Sequence, residues 1–254
     1  FLYIKMNKKL NIKKASEDKI LIVDGAMGTM IQSLKLQEKD FRGDRFTEHS
    51  IDLIGCNDIL SLTKPEIIKN IHIQYLSAGA DIIETNTFNS NAPSMQDYGL
   101  ENLIYEMNIE SAKIAVNAVK EFSNTNSDPR YVCGILGPSN RTCSISPKIE
   151  KPEFRNITFD ELVETYIDQV NGLMDGGVDL IMIETVFDTL NCKSAIFAVK
   201  TAFENRNESV PLMISGTITD ASGRTLSGQT LEAFWNSIRH AEPFSVGLNC
   251  ALGA

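Results

Sequence analysis

The sequence lacks the features that mark membrane, nucleic-acid-binding and disulfide-stabilised proteins. No run of about 18 apolar residues occurs, so no segment is expected to cross a bilayer as a helix. The formal net charge is −9 and no cluster of Lys and Arg stands out, which argues against nucleic acid as a partner. The five cysteines are widely spaced and odd in number, so no disulfide framework is expected and a cytoplasmic location is predicted.

Familiar catalytic spacings are also absent. Neither CxxC nor HExxH occurs, and the three histidines are scattered along the chain. There is no Gly-x-Ser-x-Gly elbow that could anchor a hydrolase triad. The segment Asp24-Gly-Ala-Met-Gly-Thr29 has neither the spacing nor the lysine of a Walker loop, and it is not a GxGxxG fingerprint. Short motifs therefore leave the enzyme class open.

What the chain does contain is a regular alternation of strand-like and helix-like segments. Its 254 residues are 43% hydrophobic, which is enough for one sizeable core. Continuous apolar runs bounded by turn residues predict parallel strands that are covered on both faces. These runs lie at 20–24, 80–84, 131–136, 178–183, 211–215 and 244–248.

This alternation predicts an α/β fold with a parallel sheet. Polar clusters follow most of the predicted strands, which favours a (β/α)8 TIM barrel over a doubly wound sheet with one crevice. Because such a barrel has eight strands, we expect a barrel that is truncated after about six strands. The predicted division is an N-terminal extension over 1–19 and a barrel domain over 20–254, incomplete at the C-terminus.

Helix signals lie between the predicted strands. Thr158 and Glu161 have the spacing of a capping box, and Gly176-Gly177 predicts where that helix ends. The segments 36–62 and 139–157 are long and rich in turn-forming residues. Both are therefore predicted to be loops at the face of the protein that carries the active site.

Polar side chains at the predicted strand ends are candidates for chemistry. Glu84 and Glu184 each follow an apolar run, where a carboxylate can bind an ammonium, act as a base or serve as a structural ion-pair partner. Cys250 can ligate zinc, act as a nucleophile or be a small buried hydrophobe. The turn after Asp24 can hold a carboxylate or phosphate on its amides, or be a plain strand-to-helix turn. These residues indicate a barrel enzyme whose substrate stays open.

Longer segments carry a more specific pattern. They are Asp24-Gly-Ala-Met-Gly-Thr-Met-Ile-Gln32, 80–88, 157–159, 179–190, 215–230 and 247–253. Together they resemble the homocysteine-binding module of cobalamin-dependent methionine synthases, in the homocysteine S-methyltransferase family. The similarity runs from about Ile20 to the last residue. The segments 179–190 and 215–230 favour this group over relatives that use betaine or S-methylmethionine, which share the shorter motifs only.

The resemblance implies a (β/α)8 barrel that binds homocysteine. The implied substrate-binding residues are Asp24, Gly25, Ala26, Met27, Thr85 and Glu184. Backbone amides around Gly25 would hold the substrate carboxylate, Glu184 would meet its ammonium group, and no residue is assigned as a catalytic acid or base. Methylcobalamin, carried on another domain of the same polypeptide and recharged at a methyltetrahydrofolate-binding domain, would supply the methyl group.

The resemblance also implies Zn²⁺ bound by three cysteines, which would activate homocysteine as its thiolate. Cys250 matches the family's cysteine at the end of the sixth strand. The family's adjacent pair, in Gly-Gly-Cys-Cys-Gly, has no counterpart here, so the other two ligands are expected beyond the end of this chain. Cys56, Cys133, Cys143 and Cys192 do not lie in such a segment and are not expected to replace them.

Two alternatives stay open beside this interpretation. One is a stand-alone homocysteine methyltransferase that takes its methyl group from betaine or S-methylmethionine. The other is a non-catalytic fragment, because a barrel without its last strands leaves a sheet edge unpaired. We expect the chain alone to be inactive.

Overall fold

A parallel β-sheet forms the centre of the computed structural model, which describes residues 12–123 and 128–252. The strands are β1 (Ile82–Glu84), β2 (Tyr131–Leu136), β3 (Leu180–Val186), β4 (Leu212–Gly216) and β5 (Ser245–Leu248). They lie in chain order, and each neighbouring pair is parallel. The first predicted strand joins β1 through a parallel bridge between Val23 and Ile82. All six predicted strand segments thus take part, and the order confirms the α/β fold of the barrel type.

Helices connect the strands and pack beside one another. In chain order they are α1 (residues 12–18), α2 (Met27–Ser33), α3 (Glu38–Arg42), α4 (Leu60–Thr63), α5 (Pro65–Ala78), α6 (Ala92–Met95), α7 (Ile104–Ser123), α8 (Phe159–Gly176), α9 (Thr189–Arg206) and α10 (Leu231–Ile238). The long helices form a layer in which α5 contacts α7, α7 contacts α8, and α8 contacts α9. In the part of the chain that the structure describes, no helix combines the length and apolar character needed to span a membrane.

Strands β1 to β4 are largely buried on both faces, which explains their continuous apolar runs, whereas β5 is partly exposed. Alternate side chains pack outward against the helices, namely Ile83, Val132, Leu136, Ile181, Ile183 and Ile214. The intervening side chains form an inner cluster, namely Ile82, Tyr131, Cys133, Ile135, Leu180 and Met182. Ile12 of α1 joins this inner cluster and is 1% exposed. Part of the predicted N-terminal extension therefore packs against the sheet.

The helix signals in the sequence are confirmed at α8. Thr158 Oγ1 accepts a hydrogen bond from the Glu161 backbone at 3.3 Å, and Glu161 Oε2 accepts one from the Thr158 backbone at 2.8 Å. The helix ends at Gly176 and is capped by Gly177, whose φ of 94° lies in the left-handed region that glycine reaches without strain.

The segment 36–62 is more ordered than the predicted loop. It contains α3, a 3-10 turn over Asn57–Ile59 and α4, and the Glu38 carboxylate accepts a hydrogen bond from the Ile54 backbone at 2.6 Å. Buried apolar side chains form its own core, among them Phe41, Leu53, Cys56, Ile59 and Leu60. The loop prediction was wrong here because irregularly spaced apolar residues show no period along the chain. The segment 139–157 contains no helix or strand, as predicted.

Candidate active site

Three acidic side chains meet at the carboxyl end of the sheet. Asp24 follows the first strand segment, Glu84 ends β1 and Glu184 lies near the end of β3. The Glu84 backbone N–H donates to Asp24 Oδ2 at 3.1 Å. Electrostatic repulsion links the groups, because the charges of Glu184 and Asp24 raise the pKa of Glu84. The structure therefore brings these sequence candidates together.

The pKa of each of these carboxyl groups is raised, and burial is the largest cause. Burial and the charge of Glu184 raise the pKa of Asp24 to about 7, although the hydrogen bond from Glu84 opposes the shift. Burial raises the pKa of Glu184 to about 7 as well. The pKa of Glu84 lies well above its ordinary value, because the neighbouring carboxylates and Cys250 add to the effect of burial. Such groups take up a proton or a cation readily.

No basic side chain in residues 12–123 and 128–252 forms an ion pair with Asp24, Glu84 or Glu184 of this acidic cluster. Asp24 Oδ1 is buried and has no hydrogen-bond partner within the same part of the chain. Because a buried acceptor without a donor is costly, the site suits a ligand that brings a positive charge and N–H groups.

The turn after Asp24 adds backbone amides to this edge. Gly25 and Ala26 are exposed, and α2 begins at Met27 without a side-chain cap from the described residues. Tyr75 of α5 supports the turn, since its hydroxyl donates to the Ala26 carbonyl at 3.2 Å. A Cβ atom at Gly25 would lie 3.1 Å from that hydroxyl oxygen, so glycine lets the ring pack closely. Uncapped amides at a helix start can receive an anion.

The end of β3 is distorted next to the acidic cluster. The pairing register between β3 and β4 shifts between Ile183 and Val186. Thr185, inside this irregularity, has a φ of 55°. A β-branched residue with positive φ is a rare and strained conformation, and such strain concentrates at functional sites.

Asn249 and Cys250, which follow β5, complete the edge. Asn249 Nδ2 lies 2.9 Å from Glu184 Oε1, 2.8 Å from Thr185 Oγ1 and 3.3 Å from Cys250 Sγ. Cys250 is exposed, and its charge contributes to the raised pKa of Glu84. The predicted cysteine thus lies beside the predicted carboxylates.

Thr85 lies deeper than the other predicted substrate residues. It is 4% exposed, its hydroxyl accepts a hydrogen bond from the Ile135 backbone at 3.0 Å, and it lies 2.7 Å from the Thr87 hydroxyl. The contact with Ile135 joins the residue after β1 to strand β2, which is paired with β1. Its role toward a substrate stays a prediction.

Residue patterns alone missed three members of this site: Tyr75, Ser215 and Asn249. Tyr75 belongs to the apolar stripe of α5, so its contact with the turn at Ala26 had no signal of its own. Ser215 donates to Asn249 Oδ1 at 2.8 Å from within β4. The position of Asn249 directly before Cys250, at the end of a strand, was the one available signal.

Comparison with known sequences covers nearly the whole chain. A family profile described as homocysteine S-methyltransferase matches residues 21–254. The chain belongs to this family. It is therefore a member of a family of methyltransferases that act on homocysteine, and the resemblance seen in the sequence is confirmed at the family level.

Solved structures of similar fold include the homocysteine methyltransferase MmuM from Escherichia coli. Its metallated form gives a TM-score of 0.70 at 21% identity, covering 93% of this chain and 77% of that chain. Its oxidized form gives 0.68 at 19% identity, covering 91% and 73%. Its apo form gives 0.64 at 21% identity, covering 92% and 73%. These likenesses show that this member of the homocysteine S-methyltransferase family has the same fold.

The resemblance implies a zinc site built from cysteine side chains. In residues 12–123 and 128–252, no group of three His, Cys, Asp or Glu side chains is arranged to hold a metal ion. Cys56, Cys133, Cys143 and Cys192 are buried, and Cys250 is exposed. The described residues therefore do not form a zinc site by themselves, and the assignment of Cys250 as a zinc ligand stays a prediction.

Proposed function

We propose that this chain binds homocysteine at the carboxyl end of its sheet and holds it for S-methylation to methionine. The observation that carries the proposal is the half-buried acidic cluster of Asp24, Glu84 and Glu184, which no ion pair among the described residues neutralises. An amino-acid ammonium group would supply the missing charge and hydrogen-bond donors. Membership of the homocysteine S-methyltransferase family supports homocysteine as that amino acid.

The proposed binding residues divide the substrate into two charged groups. Glu184 is the main partner of the ammonium, with Asp24 beside it. The amides of Gly25, Ala26 and Met27 receive the carboxylate, and Thr85 supports the pocket. Because an ammonium favours the ionised form of a carboxyl group, binding lowers the raised pKa values of the cluster. Homocysteine is therefore expected to bind more weakly as the pH falls below about 7.

The substrate thiol is proposed to lie on the side of Cys250. A thiol reacts as its thiolate, and bound Zn²⁺ supplies this activation by lowering the thiol pKa. We assign Cys250 as one zinc ligand. The other two belong, by the family resemblance, to a cysteine pair that this sequence does not contain.

The methyl donor is proposed to be methylcobalamin on another domain, recharged from methyltetrahydrofolate, as in a methionine synthase. The segments 179–190 and 215–230 support this assignment because they resemble the corresponding segments of cobalamin-dependent synthases over their whole length. Betaine and S-methylmethionine are the donors of the alternative, a stand-alone enzyme.

Calorimetric titration of homocysteine into the protein and its Glu184→Gln variant tests the binding proposal. At pH 8 the variant is expected to bind about a hundredfold more weakly, because one partner of a buried charge pair is lost. Glu204→Gln on α9 removes the same charge at an exposed position and serves as the control. No binding by the unaltered protein, or equal binding by Glu184→Gln, would refute the proposal.

Because the chain alone is expected to be inactive, the donor is tested on a protein in which this sequence is extended through the family's cysteine pair. Methylcobalamin, betaine or S-methylmethionine is supplied to it with zinc and homocysteine. Methionine is then measured by mass spectrometry. Methionine from methylcobalamin alone supports the synthase assignment. Methionine from either of the other donors would assign the chain to the stand-alone enzymes.

A further inference from the structure

One amide side chain connects the elements that form the candidate site. Asn249 Nδ2 approaches Glu184 Oε1, Thr185 Oγ1 and Cys250 Sγ at 2.9, 2.8 and 3.3 Å. These acceptors come from the end of β3 and from the residue after Asn249 itself. The side chain therefore spans from β5 to β3, two strands that are not neighbours in the sheet.

The strand between them fixes the orientation of this amide. Ser215 of β4 donates its hydroxyl proton to Asn249 Oδ1 at 2.8 Å. Because the amide oxygen is held by this donor, the NH₂ group must point toward Glu184 and Thr185. One hydrogen-bond network thus crosses the ends of β3, β4 and β5.

The network also acts on a strained residue. Thr185 has a φ of 55° within the register shift at the end of β3. Strain of this kind persists only where surrounding contacts hold it. The contact from Asn249 to the Thr185 hydroxyl is such a contact, and Glu184 is the adjacent residue whose direction depends on it.

We infer that Asn249 is a positioning residue, which aims the Glu184 carboxylate at the substrate ammonium while it keeps Cys250 at a set distance from that carboxylate. This inference rests on the proposed binding of homocysteine. The consequence is selectivity for ligands that carry an ammonium group. Such a group strengthens binding only when the Glu184 carboxylate points into the site. Asn249 itself does not contact the reacting atoms.

The test compares homocysteine with 4-mercaptobutanoate, which has the same thiol and carboxylate but no ammonium. Calorimetric affinities for both ligands are measured with the unaltered protein and with Asn249→Ala. The ratio of the two affinities is expected to fall about tenfold in the variant, because a hydrogen bond to a charged group is lost. Asn171→Ala is the matched control, since Asn171 is half-buried on α8 and contacts Arg206 instead.

Ser215→Ala gives a second, milder variant that keeps Asn249 in place. Without the serine hydroxyl the amide is free to rotate, so a smaller drop in the same ratio is expected. This variant decides the question if Asn249→Ala does not fold, as judged by circular dichroism. An unchanged ratio in the folded variants, or equal weakening of both ligands, would overturn the inference alone. A wild-type protein that shows no preference for homocysteine would overturn the proposed function and this inference with it.

Discussion

The two ends of β1 place a carboxylate in opposite surroundings. Asp81, just before the strand, accepts hydrogen bonds from Lys19 Nζ at 2.7 Å, from Arg130 at 3.2 Å and from the Ile22 backbone at 3.1 Å. Burial would raise the pKa of Asp81, but these hydrogen bonds and charges outweigh it and hold the pKa below its ordinary value. Glu84, at the other end, has carboxylates as neighbours and a raised pKa.

The two ends of β1 therefore serve different purposes: the amino end stabilises the fold, and the carboxyl end is suited to binding a ligand. At the amino end the protein supplies its own cations, so the charge on Asp81 stabilises the folded state. At the carboxyl end, none of the described residues forms an ion pair with Glu84, and Thr185 is strained. Barrels of parallel strands place their sites at the carboxyl ends, and here the electrostatics mark that end independently of any motif. A ligand that completes the charge balance at the carboxyl end should therefore also stabilise the fold.

Breaking the amino end should give the largest loss of stability. Asp81→Asn leaves the buried Arg130 without its carboxylate, and removal of one partner of a buried pair costs about 3 kcal/mol. Because the pKa of Asp81 is lowered, its contribution is present above the ordinary pKa and is lost as the pH falls through the lowered value. Denaturant unfolding at pH 7 and pH 3 measures this effect. The difference in the free energy of unfolding between wild type and variant should be smaller at pH 3 than at pH 7. An equal gap at both values would show that the charge on Asp81 is not what stabilises this end.

A neutral residue in place of Glu84, at the carboxyl end of β1, should stabilise the folded protein, whereas Asp81→Asn at the amino end destabilises it. A carboxyl group with a raised pKa lowers stability as the pH rises from its ordinary pKa to the raised one, because the folded state holds its proton longer. Glu84→Gln should therefore raise stability at pH 8 by on the order of 1 kcal/mol, with little or no gain at pH 4. Thermal unfolding at both values tests the sign. Destabilisation at pH 8 would show that Glu84 is compensated by groups other than those described.

The exposed member of the amino-end network should matter least. Lys19 is 48% exposed at its side chain, and an exposed ion pair contributes about 0.5 kcal/mol or less. Lys19→Met keeps most of the apolar stem and removes the charge, so we expect a loss of that size in denaturant unfolding. A loss as large as that of Asp81→Asn would mean that Lys19, rather than Arg130, carries the compensation.

Most of the fold was predictable because its signals are local. Buried parallel strands need continuous apolar runs, and the ends of such strands must meet at one edge of the sheet. That rule predicts from the sequence alone that Asp24, Glu84, Glu184 and Cys250 lie near one another. The capping box at Thr158 is equally local, since its two partners are close in sequence.

The remaining features depend on contacts between distant parts of the chain. The role of Asn249 requires the strand order, because Ser215 must lie between it and β3. The compensation of Asp81 depends on Lys19 and Arg130, which approach it only in the folded sheet. The positive φ of Thr185 has no sequence signature, because threonine does not ordinarily adopt that conformation.

The exposure of Cys250 gives the protein one thiol that can be labelled selectively. The other four cysteines are buried, and burial is the largest cause of their raised pKa values, which reach about 12 for Cys56 and Cys192. A maleimide dye added to the folded protein should therefore attach at a single thiol, next to the acidic cluster. Fluorescence from that label would report changes in the surroundings of the acidic cluster without any engineered cysteine, although the labelled thiol can no longer act as the proposed zinc ligand.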